Sequence, residues 1–191
     1  VVSVDSVFVA KGFGSVGTDK AENLLKHAEG LSSATGVHEL AVDDVITVGS
    51  VSFRVISPDG LTDEGENDDS VCLMAKTDLN NDGIGEWRAL FTGDAESEVL
   101  DSINEKGALE DIDILKVSHH GAKAALDNEL MDVLKPEIAL ISAGERNRYG
   151  HPAANTISLL ESCNVEVFRT DLQGDVVCIL NQANISIRTM K

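Results

Sequence analysis

The chain has 191 residues, of which 42% are hydrophobic and only three are proline, so it can form one domain with a substantial core. Its 33 acidic and 15 basic residues give a formal net charge of −18, which argues against unaided binding to nucleic-acid phosphates. No apolar run approaches the roughly 18 residues of a membrane span, and no signal-like segment opens the chain. We therefore expect a soluble chain that does not itself insert into a membrane.

The first part of the chain predicts a strand, a helix and a hairpin. Residues 1–9 alternate like a strand, and Asp19 with Glu22 forms a plausible capping pair for a helix that ends at Gly30. The segment VITVGSVSFRVI predicts two short strands around a Gly-Ser turn with glycine first. Residues 57–70 then form an acidic, turn-rich loop, and loops of this length are usually functional or mobile.

The three cysteines do not form the framework of a disulfide-rich domain. Cys72 and Cys178 lie in the apolar runs VCLM and VVCIL, and Cys163 follows a helical pattern. Cysteines in apolar runs are typical of buried free thiols, so we expect Cys72 and Cys178 to be buried.

The segment TDLNNDGIGE resembles the start of a calcium-binding loop. Asp78, Asn80, Asp82 and Gly83 match its first six positions, but the twelfth position is Ala89, where a bidentate glutamate is expected. The pattern is therefore more typical of a hairpin loop rich in Asn, Asp and Gly, with a weak calcium site at Asp78, Asn80 and Asp82 as the alternative.

Residues 87–121 predict a strand, a helix and a strand, with polar residues where each strand ends. Asp94 follows WRALFTG, and His119 with His120 follows DILKVS. Residues just beyond the carboxyl ends of strands line the crevice in which open α/β sheets bind ligands. Carboxylate and imidazole are also common ligands of metals that activate water. The alternatives are that Asp94 caps a helix starting near Ala95 and that both histidines are ordinary loop residues.

The rest of the chain continues to alternate strands and helices, which predicts an α/β fold with at least partly parallel strand pairing. The loop AGERNRYGHP follows the predicted strand EIALIS, so Arg146, Arg148, Tyr149 and His151 are expected to face the same crevice as Asp94. Basic residues concentrated in this acidic chain indicate an anionic substrate. An exposed loop with a rigid His-Pro turn is the alternative.

Four segments carry a family resemblance. LFTGDAE, ILKVSHHG, SAGERNRYGHP and FRTDLQGDV, preceded by NDDS, occur in this order from about residue 57 onward. Together they resemble the carboxyl-terminal metallo-β-lactamase-like domain of the ComEC family of DNA-internalisation competence proteins. The resemblance implies an αββα sandwich with a metal site at one edge, of which residues 1–191 would be a single, partial domain.

The same resemblance implies a parent protein and a role for it. The parent would be a multi-pass membrane protein that takes up DNA in transformation and passes single-stranded DNA inward, with this domain on the extracytoplasmic face of the cell membrane. The complete domain would be a metal-dependent phosphodiesterase or nuclease that uses zinc or manganese. Its partners would be single-stranded DNA and the membrane channel of the same parent protein.

Residue roles follow from the resemblance position by position. Asp94 and His119 resemble metal ligands with a catalytic role, and His120 is the alternative to His119. His151 resembles a proton donor or substrate contact. The positions that resemble substrate contacts are Asn67, Asp68, Ser70, His120, Asn147, Arg148 and Tyr149.

Two departures from the family pattern limit this interpretation. The principal metal-binding cluster, HxHxDH, is absent from the chain and is expected upstream of Val1, so the chain would lack the amino-terminal portion of the domain. The family usually has serines after HHG, whereas Ala122 and Ala125 stand here. The alternatives are therefore a non-catalytic scaffold domain of the uptake machinery, or a stand-alone small-molecule hydrolase of the same superfamily.

Overall fold

The fold is built around a seven-stranded mixed sheet. The computed structural model describes residues 4–16, 18–31, 36–61 and 67–191. Within them the strands are β1 Ser6–Ala10, β2 Gly36–Leu40, β3 Val45–Val48, β4 Val51–Ser57, β5 Cys72–Thr77, β6 Trp87–Phe91, β7 Ile114–Lys116, β8 Ile138–Ile141, β9 Glu166–Arg169, β10 Asp175–Leu180 and β11 Ile185–Met190. The helices are α1 Asp19–Leu31, α2 Ser97–Glu105, α3 Asn128–Leu134, α4 Ala154–Ser162 and α5 Thr170–Gln173.

Strands β3 to β9 lie side by side in chain order. Pairing is antiparallel from β3 to β6 and parallel from β6 to β9. The predicted α/β class with partly parallel pairing is therefore confirmed. Because β6, β7 and β8 are parallel neighbours, the loops that follow them leave the sheet at the same edge.

Two smaller sheets accompany the large one. β1 and β2 pair in parallel, and β10 and β11 form an antiparallel hairpin. The side chain of Trp87 joins this hairpin to the large sheet, since its Nε1–H donates to the carbonyl oxygen of Asn181 at 2.7 Å. No helix within the described ranges is long and apolar enough to cross a membrane.

The core joins the parallel half of the sheet to the helices that connect its strands. Leu90 of β6 and Leu115 of β7 are completely buried, and they belong to one cluster with buried leucines of the helices, namely Leu100, Leu130, Leu134 and Leu160. Each connecting helix thus turns its apolar face, formed by residues at helical spacing, toward the apolar residues of the strands. This packing fixes where β6 and β7 end, and so positions the residues that follow them.

Two predictions about local structure have definite outcomes. The hairpin is confirmed, because β3 and β4 pair across a turn in which Gly49 has φ 59°. The predicted capping pair is wrong in part, since the Oγ1 of Thr18 accepts from the backbone N–H of Ala21 and caps α1 instead of Asp19. Residues 1–3 of the predicted first strand and 62–66 of the acidic loop lie outside the described residues.

The thiol of Cys72 is expected to be inert in the folded protein. Burial raises its pKa to about 12, and a hydrogen bond involving Ser57 opposes this rise. The Cys72 side chain is fully inaccessible, as predicted, and Cys163 is exposed. The prediction that Cys178 is buried is wrong, since its side chain is half-buried in β10. Because the thiolate is the reactive form, a disulfide reagent at about pH 8 should modify Cys163 rapidly and Cys72 only after unfolding. Mass spectrometry of the labelled peptides checks this, and equal labelling rates for the two cysteines would contradict it.

Candidate functional site

Three loops at the carboxyl edge of the parallel strands bring together a group of polar side chains. Asp94 follows β6, His119 and His120 follow β7, and His151 lies in the loop after β8. We call Asp94, His119, His120 and His151 the histidine edge. The prediction that residues at these strand exits lie close together agrees with the distances between their side chains.

Asp94 is positioned by close contact with the segment that precedes β5. Its backbone N–H donates to the Oγ of Ser70 at 3.0 Å. A Cβ added at Gly93 would lie 2.9 Å from the Cβ of Ser70, so glycine permits this approach. Helix α2 begins only at Ser97 with Glu96 as its N-cap, so the alternative that Asp94 caps a helix is wrong. The Asp94 carboxylate is therefore available to other groups at the edge.

The two histidines after β7 adopt backbone conformations that non-glycine residues rarely occupy. His119 has φ 45° and His120 has φ 56°. Hydrogen bonds from the flanking backbone hold this turn: the hydroxyl of Ser118 donates to the carbonyl oxygen of Ala95, and the N–H of His119 donates to that of Gly93 at 3.2 Å. Such conformations cost free energy and are concentrated at functional sites, which makes this turn a candidate.

Within the edge, His120 rather than His119 lies beside Asp94. The Nε2 of His120 is 3.7 Å from the Oδ1 of Asp94. Its Nδ1 is 2.7 Å from the carbonyl oxygen of Ser142, which can only accept, so Nδ1 carries a hydrogen and donates. The hydrogen bond from Nδ1 therefore holds the ring to the end of β8, and Nε2 faces the Asp94 carboxylate beyond hydrogen-bond distance.

His119 has different neighbours. Its Nδ1 lies 3.4 Å from the Oε1 of Glu96 and 3.4 Å from the Nδ2 of Asn67. Nδ1 can donate to the carboxylate when it carries a hydrogen and can accept from the amide when it does not, so only one of the two hydrogen bonds forms at a time. Glu96 was not among the predicted site residues. The sequence did contain a signal for it, since it stands two residues after Asp94 at the same strand exit.

The loop after β8 is closed by Asn147. Its Nδ2 donates to the carbonyl oxygens of Gly144 at 2.8 Å and His151 at 2.6 Å, and its Oδ1 accepts from the N–H of His151 at 2.9 Å. Asn147 thus uses its amide within the loop and positions His151. The His151 ring lies 5.6 Å from the His119 ring.

Close packing joins this loop to the histidine turn. Gly121 has φ +77°, and a Cβ added there would lie 2.6 Å from the Cβ of Pro152. The N–H of Ala153 donates to the carbonyl oxygen of Gly121 at 2.8 Å. The relative position of His119 and His151 therefore depends on a glycine at this position. Ala122 and Ala125, where the family pattern has serines, are both buried.

The remaining predicted positions lie around the edge. Asn67 and Asp68 belong to a short 3-10 helix, Asn67–Asp69, and Ser70 follows it. Arg148 and Tyr149 are exposed at the tip of the loop after β8. Lys116 lies half-buried behind the edge, and burial lowers its pKa while the charge of Asp94 partly opposes this.

A cleft of about 950 Å³ opens beside the histidine edge. Asn67, Ser70 and Asp94 line its polar side, and its apolar wall includes Phe8 and Phe13. Of the four residues of the histidine edge only Asp94 lines this cleft, so the cleft adjoins the edge at that residue.

The described residues do not fit a complete metal centre. None of the groups of His, Cys, Asp and Glu within the described ranges brings three or more potential ligands together around an ion. Asp94 and His119, the predicted metal ligands, lie next to His120 and Glu96 respectively rather than next to each other. A catalytic zinc site typically has three protein ligands, so no step of a reaction is assigned to a metal here.

The loop that resembles the start of a calcium-binding loop uses its carboxylates to accept hydrogen bonds from its own backbone. Asp78 accepts from the N–H groups of Asp82 at 3.1 Å and Gly83 at 3.0 Å, and Asp82 accepts from that of Ile84 at 2.7 Å. This is the hydrogen bonding expected of a polar hairpin loop. Calcium binding at Asp78, Asn80 and Asp82 stays a prediction.

Comparison with known proteins relates the chain to bacterial competence proteins. It is 32% identical over 173 residues to ComE operon protein 3 of Bacillus subtilis (strain 168), which covers 91% of this chain and 21% of that protein. It is 30% identical over 127 residues to Recombination protein 2 of Haemophilus influenzae, covering 65% of this chain and 15% of that protein. Competence protein ComA of Neisseria gonorrhoeae is 25% identical over 103 residues, or 53% of this chain and 15% of that protein.

These relatives indicate a competence-related family. The chain spans about a fifth or less of the length of each, so most of each relative has no counterpart in it. No protein-family model matches the chain. The relatives confirm the predicted resemblance to competence proteins, and the metallo-β-lactamase-like domain stays a prediction.

Proposed function

We propose that this chain is a domain of a DNA-uptake protein and that its histidine edge binds and cleaves phosphodiesters of incoming single-stranded DNA. One observation carries the proposal: three imidazoles and a carboxylate converge where parallel strands end, in a chain whose relatives are competence proteins. We include in the proposal a metallo-β-lactamase-like fold, attachment to the membrane channel of the same parent protein, and a position on the extracytoplasmic face of the membrane.

The chemistry of the edge suits a phosphate group. Imidazole N–H groups donate hydrogen bonds, and phosphate oxygens accept them. The exposed cations nearest in sequence to His151 are Arg146 and Arg148, on the same loop, and they would offset locally the repulsion from the net charge of −18. Hydrolysis adds one water across a P–O bond, and the ring of His151 would supply the proton for the leaving oxygen.

The cleavage assay uses fluorescently labelled single-stranded DNA with the parent chain, Asp94→Ala, His119→Ala and the control His27→Ala. His27 is exposed on α1 and is not among the residues that line the cleft beside the histidine edge. We expect the parent and the control to cleave at the same rate and the two edge variants to be slower by roughly 10²- to 10⁴-fold, the range for loss of a positioned acid or base. Cleavage by His119→Ala at the parent rate would contradict the proposal.

The involvement of zinc or manganese is tested on the same proteins. Elemental analysis after incubation with each metal and removal of excess reports binding directly, without dependence on activity. Metal retained by the parent and lost in both Asp94→Ala and His119→Ala would make these residues ligands. Cleavage that persists in chelator, with no metal retained, would assign the reaction to side chains alone.

A non-catalytic scaffold domain is the second candidate. It is favoured by the net charge of −18 and by the lack of a three-ligand group within the described ranges. A folded parent chain that binds single-stranded DNA without cleaving it, with or without added manganese, would support the scaffold and contradict the nuclease. A stand-alone small-molecule hydrolase has no observation in its favour among the described residues.

A further inference from the structure

A row of planar side chains leads outward from the histidine edge. The His151 ring lies 5.6 Å from the His119 ring, and the Tyr149 ring is nearly parallel to His151, at 6.0 Å and 12°. The guanidinium carbon of Arg148 lies 5.2 Å from the centre of the Tyr149 ring. This row connects the edge to the tip of the loop after β8.

Tyr149 is exposed far more than its size would suggest. It is 68% accessible, and it is the single tyrosine of the chain. Its hydroxyl accepts a hydrogen bond from the Nη2 of Arg148 at 3.1 Å, which together with stacking on His151 orients the ring. The loop itself is held by Asn147, so its closure does not require the Tyr149 ring. An oriented, exposed aromatic ring without a core to pack against is available to a ligand.

We propose that Tyr149 stacks an unpaired nucleobase of the strand whose phosphate lies at the histidine edge. The inference rests on the proposed function, and it adds a contact between Tyr149 and a base of the single strand. Aromatic rings and arginine side chains together bind successive bases without sequence preference, because every base has a π-face. Bases in a duplex are already stacked and cannot reach such a ring, so the strand must be single at this point.

The test measures fluorescence anisotropy with two labelled strands of equal length, one of thymidines and one abasic. The abasic strand keeps every phosphate and lacks every base. The variants are Tyr149→Leu, which keeps apolar bulk, and Tyr149→Phe, which keeps the ring. We expect Tyr149→Leu to weaken binding of the thymidine strand by roughly 5- to 100-fold, the range for one lost stacking contact, and to leave the abasic strand unaffected. Tyr149→Phe keeps the π-face and loses the hydrogen bond from Arg148, so it should bind the thymidine strand more tightly than Tyr149→Leu does.

Two results would overturn the inference in different ways. If Tyr149→Leu weakens both strands equally, or if the parent binds the abasic strand as tightly as the thymidine strand, base stacking is wrong while phosphate binding at the edge is retained. If the folded parent binds neither strand, the proposed function is wrong and the inference with it. Tyr149→Leu is a surface substitution, so its thermal unfolding should match that of the parent.

Discussion

Replacing Gly121 by alanine is expected to lower the free energy of unfolding by about 2–4 kcal/mol, the combined effect of a left-handed backbone and of overpacking. The added Cβ would lie 2.6 Å from the Cβ and 3.3 Å from the Cα of Pro152, so the loop after β8 must move. That movement separates His151 from His119, whose rings are 5.6 Å apart. Urea denaturation measures the stability, and DNA cleavage by the folded variant measures the effect on the site.

Gly107→Ala is the matched control for this substitution. Gly107 has φ +70°, similar to the +77° of Gly121, but a Cβ added there meets no atom within 4 Å. Gly107→Ala should therefore lower the free energy of unfolding only through its left-handed backbone, by about 1–2 kcal/mol, and should leave the cleavage rate unchanged. Equal losses of stability for the two variants would mean that the contact between Gly121 and Pro152 does not hold the loop.

Replacing Leu115 by alanine is expected to cost about 2–5 kcal/mol of stability, the range for a leucine truncated in a rigid core. Leu115 is 0% exposed in β7 and pairs with Leu90 of β6 and Ala139 of β8. Its neighbours are fixed by strand pairing, so they cannot close the cavity by simple movement. Because β7 leads directly into the histidine turn, the thermal midpoint and the cleavage rate should both fall.

Leu172→Ala provides the comparison for Leu115. Leu172 is 55% exposed in the short helix α5, so its truncation removes little buried surface and should change stability by about 0.5 kcal/mol or less. Denaturation of the two variants under the same conditions checks the difference. A loss for Leu115→Ala as small as that for Leu172→Ala would place Leu115 outside the core.

Much of the fold could be predicted because its elements have simple local causes. The hairpin of β3 and β4 follows from strand alternation around a glycine-first turn, and α3 begins after Asp127, whose Oδ1 accepts from the N–H of Leu130. The order of the strands in the large sheet could not be predicted from these patterns. It depends on long-range packing of apolar strands that resemble one another in sequence.

The location of the candidate site could be predicted, but its internal geometry could not. Asp94 and the two histidines were predicted to be neighbours because each follows the end of a predicted strand. The positive φ values of His119 and His120 decide which ring points to Asp94, and no local pattern distinguishes adjacent identical residues. Glu96 was missed because its position near the start of α2 suggested an ordinary helix residue. The amide of Asn147 closes the loop, which the sequence did not indicate, and its contact with a substrate stays a prediction.

Nuclear magnetic resonance of the histidine rings tests whether the histidine edge binds the phosphates of single-stranded DNA. The chain has five histidines, so ¹⁵N-histidine labelling gives five sets of ring signals. On titration with a short thymidine strand, we predict that the signals of His119, His120 and His151 shift together. The signal of His27, which is exposed on α1 and is not among the residues that line the cleft, should stay in place as an internal reference. Binding of the strand with no shift at the three edge histidines, or with a shift at His27 instead, would contradict binding at the histidine edge.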